Sequence, residues 1–122
     1  MSKILVVDDD LDILSVMKIL LTMRGFEVEV ISNGENALPG IESFKPDLIL
    51  LDVLISGHDG RMICKKLKSN KDTSNIPVIM FSAHPGAAAT VTDYGANDFI
   101  SKPFDVNNLM KKVNAQLKLS SN

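Results

Sequence analysis

The feature that most constrains this chain is the apolar run Leu48-Ile49-Leu50-Leu51, which stops abruptly at Asp52. A run that is apolar at every position, with no alternation, suits a central strand covered by helices on both faces. In an open parallel sheet, ligands bind beyond the carboxyl ends of the strands. Asp52 stands at such an end, so it is read as a candidate site residue. The plainer reading is a carboxylate that merely starts a loop, and the rest of the chain decides between them.

Two further runs behave in the same way. Lys3-Ile4-Leu5-Val6-Val7 ends in Asp8-Asp9-Asp10, and Ile76-Pro77-Val78-Ile79-Met80-Phe81 ends in Ser82. Phe26 to Val30 alternates with period two and predicts a half-exposed edge strand. Asp98-Phe99-Ile100-Ser101 is a short fifth strand ending at Lys102-Pro103. Between the strands the spacing turns helical. Leu11, Leu14, Met17 and Leu21, with Ile13, Val16 and Leu20, predict a helix to Met23, with Gly25 just past its end. Ala37, Leu38, Ile41 and Phe44 predict a second helix. Pro39-Gly40 falls inside it, so a kink or a late start is expected. A third helix, Arg61 to Lys68, buries Ile63, Leu67 and Cys64. Ala87 to Tyr94 predicts a short, weak helix ended by Gly95. Asp105 caps a last helix that buries Val106, Leu109, Val113 and Leu117. Ser120 to Asn122 reads as a frayed tail.

Strands alternating with helices five times predict an α/β fold with a doubly wound, five-stranded parallel sheet in three α/β/α layers. The 122 residues suffice for one such core, so residues 1–122 read as a single domain with an ordered core of about 3–118. A formal net charge of −2 gives no bulk attraction to nucleic acid or to an anionic membrane. Apolar runs are too short to span a bilayer and no signal peptide is evident, so no membrane association is expected. Cys64 is the only cysteine; without an internal disulfide, a reducing, cytoplasmic setting is expected.

The residues that close the strands form a chemical set. The first strand gives Asp8 and Asp9, the third Asp52, the fourth Ser82 and the fifth Lys102. Carboxylates brought together repel unless a cation or a proton intervenes. Hard oxygen donors, with no Cys or clustered His, select Mg²⁺ or a similar ion over zinc. A carboxylate can also act as a nucleophile through an aspartyl phosphate. Phosphoryl transfer needs chiefly positioning and charge neutralisation. The set meets that need: Asp52 attacks, the cation and Lys102 neutralise, and Ser82 donates a hydrogen bond.

Val6-Val7-Asp8-Asp9-Asp10, Asp47 through Asp52, Phe81-Ser82-Ala83 and Asp98 through Phe104 resemble the receiver domain of two-component response regulators, of chemotaxis-regulator type. The resemblance covers nearly the whole chain. It implies the flavodoxin-like strand order 2-1-3-4-5 and a signalling domain rather than a turnover enzyme. It further implies Asp52 as phosphoacceptor, with a sensor histidine kinase or a histidine phosphotransfer protein as donor. Asp8, Asp9, Asp52 and the backbone carbonyl of Leu54 would hold Mg²⁺. Ser82 would be the switch hydroxyl, Lys102 the phosphate-binding lysine and Phe99 the switch aromatic. An output domain or partner protein would read the switched surface, and the Lys102-Pro103 bond would be cis.

The chain departs from the family pattern in four places. Ser56 stands where a proline is usual and His58 where an apolar residue is frequent, so a more mobile loop is expected after Asp52, with His58 solvated. Leu54 and His84 stand two residues beyond the phosphoacceptor and the switch hydroxyl. An apolar Leu54 cannot orient a water, which predicts slow self-hydrolysis. The stretch from Ser82 to Lys102 is short, which abbreviates the fourth helix and its usual output face. Pro39-Gly40 disturbs the second helix, a packing peculiarity without chemical role.

Other readings stay open at this point. A Mg²⁺-dependent phosphohydrolase with an aspartyl nucleophile would use the Asp-x-Asp spacing of Asp8 and Asp10, but Asp10 should already cap the first helix and the chain has no room for a cap domain. An FMN carrier would want a glycine- and hydroxyl-rich first loop, where Asp8-Asp9-Asp10 would repel phosphate. A phosphorylation-independent scaffold would not need the acid pair. The start at Met1 favours an N-terminal receiver, and a single-domain regulator, a phosphate relay or sink, and a receiver excised from a longer protein all stay open.

Overall fold

The uninterrupted apolar runs become the middle of the sheet. In the computed structural model, which describes residues 2–120, the strands are β1 (Lys3–Val7), β2 (Glu27–Ile31), β3 (Leu48–Asp52), β4 (Val78–Ser82) and β5 (Asp98–Ser101). All are parallel, and their order is 2-1-3-4-5. β3 and β4 are buried at every residue, whereas the edge strand β2 exposes Glu27 and Glu29. A strand buried on both faces has no use for alternation, and an edge strand keeps it.

Alternate residues of each strand feed two separate cores. Ile4, Val6, Leu48, Leu50, Ile79 and Phe81 face α1 (Leu11–Met23) and α5 (Val106–Ser120). Leu5, Val7, Ile49, Leu51, Val78 and Met80 face α2 (Ala37–Phe44), α3 (Gly60–Ser69) and α4 (Ala88–Val91). This is the doubly wound, three-layer arrangement. Truncating a fully buried residue such as Leu50 to alanine would cost about 2–5 kcal/mol.

Several local expectations are refined. α1 buries only Leu14, Met17 and Leu21. Leu11 and Val16 continue the helical spacing but lie off that stripe, 66% and 48% exposed. In α5, Leu109, Met110 and Val113 are buried, while Val106 and Leu117 pack only at the margin. Asp105 does cap α5, accepting from the Asn107 N–H at 3.3 Å. α2 is short and starts at Ala37, so Pro39 falls in its first turn, where a missing N–H removes no helical bond. Gly40 lies against β2: a Cβ there would come within 2.2 Å of Ile31 Cδ1. The Pro39-Gly40 pair is thus a matter of packing. α4 is indeed brief, flanked by single 3₁₀ turns at Pro85–Ala87 and Thr92–Tyr94 and ended by Gly95 at φ +93°. Ser120 closes α5, and Ser121 and Asn122 lie outside the described residues. Among the described residues, no helix is long and apolar enough to cross a membrane.

Candidate functional site

The strand register brings the chain's acidic ends together. Val7 pairs with Leu51, Asp52 with Phe81, and Ser82 with Ser101. Asp8, Asp52, Ser82 and Lys102 therefore leave one edge of the sheet within a residue or so of one another. Asp8 is fully buried and Asp52 is 6% exposed. Lys102 crosses the end of β4, its Nζ 4.9 Å from the centre of the Phe81 ring. Nζ donates to Asp8 Oδ2 at 2.9 Å and to Asp52 Oδ2 at 3.2 Å. One ammonium thus bridges two buried carboxylates.

That arrangement leaves negative charge in excess. Burial, and then the charge of Asp8, push the Asp52 carboxyl up to about 6, with Lys102 offsetting only part of the rise. Burial alone would pull the Lys102 ammonium down. Its hydrogen bond to Asp8 and the charges of Asp52 and Asp8 outweigh that, and its proton is held more tightly than usual.

The three consecutive aspartates do three different things. Asp8 accepts from the Asp10 N–H at 3.0 Å and from Lys102. Asp10 turns away to cap α1, its Oδ1 accepting from the Asp12 N–H at 2.9 Å and the Ile13 N–H at 3.3 Å. Asp9 is exposed, and its Oδ2 accepts from the Ser56 N–H at 3.0 Å and the Ser56 hydroxyl at 2.9 Å. These bonds hold the Asp9 carboxyl below its usual range. Asp8, Asp9 and Asp52 each place an oxygen within 4.8 Å of the others. Three hard oxygen donors in excess of one ammonium fit a small divalent cation such as Mg²⁺.

Ser82 sits next to this group without sharing its bonds. Its Oγ accepts from the His84 N–H at 3.0 Å, and its carbonyl accepts from the Lys102 N–H at 2.9 Å. Phe99 lies further down β5, paired with Met80, and packs at the edge of the α2–α4 core. Lys112 of α5 donates to its carbonyl and forms an ion pair with Asp98 at 3.3 Å. Leu54 is 54% exposed in the loop beyond Asp52. Leu54 and His84 line the same groove of about 260 Å³, together with Arg61 and Thr90. The Lys102-Pro103 bond is cis, as the resemblance implied.

The loop after Asp52 has more structure than its lack of proline suggested. Leu54–Ile55 and His58–Asp59 pair as an antiparallel hairpin, with Gly57 at φ +77° in its turn. His58 is exposed, yet its ring lies against the β2–α2 turn: a Cβ on Gly34 would fall 2.7 Å from His58 Cγ. The N–H that a proline would lack is the one spent on Asp9.

Sequence reasoning missed three contributors. Ser56, which the sequence places in a loop, is the partner of Asp9. Gly60 lets α3 start against the strand end: its N–H donates to the Val53 carbonyl at 2.6 Å, and a Cβ would come within 1.9 Å of the Asp52 carbonyl. The Asp59-Gly60 pair ahead of a helical pattern was the available signal, since Asp59 caps α3. Arg61 binds the Asp59 carboxylate at 2.8 Å, the Thr90 hydroxyl at 3.1 Å and the Tyr94 ring at 5.4 Å, linking α3 to α4.

Comparison with known proteins bears on this site. The profile of the response regulator receiver domain matches residues 4–114. The DNA-binding response regulator MtrA of Mycobacterium tuberculosis is 36% identical over 118 residues, which are 95% of this chain and 50% of MtrA. The chain thus spans about half the length of the curated relatives it matches. Among solved structures, the receiver domain of NtrX from Brucella abortus superposes with a TM-score of 0.86 at 33% identity, over 94% of this chain and 98% of that one. The receiver domain of a signal transduction histidine kinase from Syntrophus aciditrophicus gives 0.88 at 32% identity, over 97% and 91%.

Proposed function

The chain belongs to the receiver-domain family of two-component response regulators, and from that premise we propose that Asp52 is the phosphoacceptor of a Mg²⁺-dependent phosphorylation switch. The observation that carries this reading is the bridge from Lys102 to both Asp8 and Asp52, at 2.9 and 3.2 Å. It sets a nucleophile beside a fixed positive charge at the open edge of the sheet.

An Asp52 oxygen attacks phosphorus. The new O–P bond forms as the P–N bond of a donor phosphohistidine breaks, and the departing imidazole keeps the electron pair. Asp8, Asp9, Asp52 and the Leu54 carbonyl are the groups that would hold Mg²⁺, which when bound supplies charge neutralisation at the phosphoryl oxygens. Lys102 turns from Asp52 toward the new phosphoryl group while keeping Asp8. Ser82 Oγ, which accepts from the His84 N–H, donates its own proton to a phosphoryl oxygen. Phe99 follows into the space left behind, and the surface around α4 changes shape. This is a population shift between two packings. Phe99 has no hydroxyl, so packing alone drives its movement.

The donor is a sensor histidine kinase or a histidine phosphotransfer protein. Its seat is the apolar groove of about 500 Å³ lined by Ile13, Val16, Leu20, Ala83, Pro103 and Phe104. Lys102 also lines that groove and contacts Asp52, so a protein resting there is beside the acceptor. An output domain or partner protein reads the changed surface. The domain itself contributes no nucleic-acid contact and no turnover beyond its own phosphorylation and dephosphorylation. Both cores share one sheet, which supports reading residues 1–122 as one domain, and a buried thiol at Cys64 suits a reducing cytoplasm. A phosphohydrolase using Asp8 and Asp10 is disfavoured because Asp10 is committed to the α1 cap.

The test is intact mass after incubation with acetyl phosphate and Mg²⁺. One phosphoryl adduct on the wild type and none on Asp52→Asn is the expected result. No adduct on either, with Mg²⁺ binding shown separately, would shift the reading to a scaffold. Sustained hydrolysis without an adduct would restore the phosphohydrolase.

A further inference from the structure

Building on the receiver reading above, we infer that Ser56 is a positioning residue for Asp9, holding that carboxylate in place for Mg²⁺ before any ion arrives. Asp9 is the exposed member of the acidic group. Left free, an exposed carboxylate would sample several rotamers and lose that freedom on binding an ion. Here two donors from one residue fix it: the Ser56 N–H at 3.0 Å and the Ser56 hydroxyl at 2.9 Å, both on Oδ2. A carboxylate has about four lone-pair sites, so two donors leave capacity for a cation. The oxygen set of Asp8, Asp9 and Asp52 already lies within 4.8 Å.

The loop is built to deliver those donors. Ile55 pairs with His58, which leaves Ser56 and Gly57 as the turn, and Gly57 takes the positive φ that the turn demands. The His58 ring lies against Gly34 on the far side of the hairpin, away from Asp9. Ser56 then reaches a residue 47 positions earlier in the chain. A proline at this position would have neither the N–H nor the hydroxyl. Serine here is therefore a substitution of function. It converts a loop residue into an outer partner of a metal ligand, and such partners fix ligand orientation.

The experiment is calorimetric titration of the full chain with MgCl₂ at pH 7.5, for wild type, Ser56→Ala, Ser56→Pro, Ser56→Thr and His58→Ala. Losing an outer partner typically weakens metal binding about 10–100-fold. Ser56→Ala keeps the backbone donor, so its dissociation constant should rise by only about 3–10-fold, with Ser56→Pro above that range. Ser56→Thr keeps both donors and should bind like wild type. His58→Ala removes a ring that rests on Gly34 but keeps the Ile55–His58 backbone pairing that places Ser56, so it should also bind like wild type. Amide exchange without metal provides a second readout: residues 54–59 should exchange faster in Ser56→Ala than in wild type. Binding by Ser56→Ala and Ser56→Pro at wild-type strength or tighter would overturn the inference. So would equal weakening in His58→Ala, because loop order rather than the Asp9 contact would then set affinity. A wild type that binds no Mg²⁺ would remove the proposed Mg²⁺-dependent switch together with this inference, whereas wild-type binding with unaffected Ser56 variants would remove this inference alone.

Discussion

Lys102 and Asp8, 94 residues apart in the chain, are joined by a 2.9 Å ion pair, and the same ammonium lies 3.2 Å from Asp52. The lysine is therefore a structural counter-ion as well as a candidate phosphate ligand. Two buried carboxylates side by side repel, and a single charge between them makes the strand ends tolerable.

Removing that charge should destabilise the metal-free protein. Lys102→Met leaves Asp8 and Asp52 facing each other, and breaking a buried pair costs about 3–5 kcal/mol; with one side of the site open to water, roughly 2–3 kcal/mol is expected. Urea denaturation with EDTA measures it. Saturating Mg²⁺ should recover much of the loss, because a cation again lies among the carboxylates. A variant as stable as wild type without metal would refute the counter-ion role.

Asp52→Asn should do the opposite. Asp52 titrates near 6 in the fold against an ordinary 3.8, so the folded state binds the proton more tightly than the unfolded chain. Stability then falls as pH rises from about 4 through 6, and above 6 the ionised carboxylate is a full liability. At about 1.4 kcal/mol per tenfold change in proton affinity, the ceiling is roughly 3 kcal/mol, and solvent screening brings the expected gain to about 1–2 kcal/mol. Without metal, Asp52→Asn should be more stable than wild type at pH 7.5, with the advantage fading toward pH 4. An advantage independent of pH would contradict the assignment.

Gly60→Ala tests the seat of the acceptor strand. The new Cβ would sit 1.9 Å from the Asp52 carbonyl oxygen, a backbone atom that no side-chain rotation relieves. Overpacking of this kind costs about 1–3 kcal/mol or more. Chemical denaturation should show that loss, and titration should show weaker Mg²⁺ binding because Asp52 shifts with its strand.

Leu54→Asn addresses the lifetime of the aspartyl phosphate. Leu54 is apolar and half exposed on the groove it shares with His84, and it offers an attacking water no hydrogen bond. An amide at this position should shorten the lifetime several-fold, measured by loss of the adduct mass over time. An unchanged lifetime would remove Leu54 as its determinant.

Val16→Asp separates the protein donor from the chemistry. Val16 is 48% exposed in the apolar groove beside Lys102, so the fold should tolerate the change within about 0.5 kcal/mol. Phosphorylation by acetyl phosphate should be preserved, while transfer from a phosphohistidine protein should fall sharply. Equal loss with both donors would place the donor's seat elsewhere.

The sequence by itself determined the layers and the site's inventory. A strand buried on both faces must be apolar throughout, so Leu48–Leu51 and Ile76–Phe81 stand out in the sequence, although the latter strand starts only at Val78, after Pro77, and their abrupt polar ends mark Asp52 and Ser82. The Asp10 cap and the short α4 were equally local, written in a few consecutive residues. Periodicity predicts which face of a helix is apolar, but not how much of it a neighbour covers; that is why Leu11 and Val16 lie exposed although they continue the pattern. Only the tertiary structure decided which groups meet. Ser56 reaches Asp9 across 47 residues, Arg61 reaches Thr90 across 29, and Lys102 bridges Asp8 and Asp52. Those contacts depend on the path of a loop and on the packing of whole elements against each other. Local propensity encodes turns and periods, while the docking of distant segments is fixed by cores that form only when the sheet is assembled.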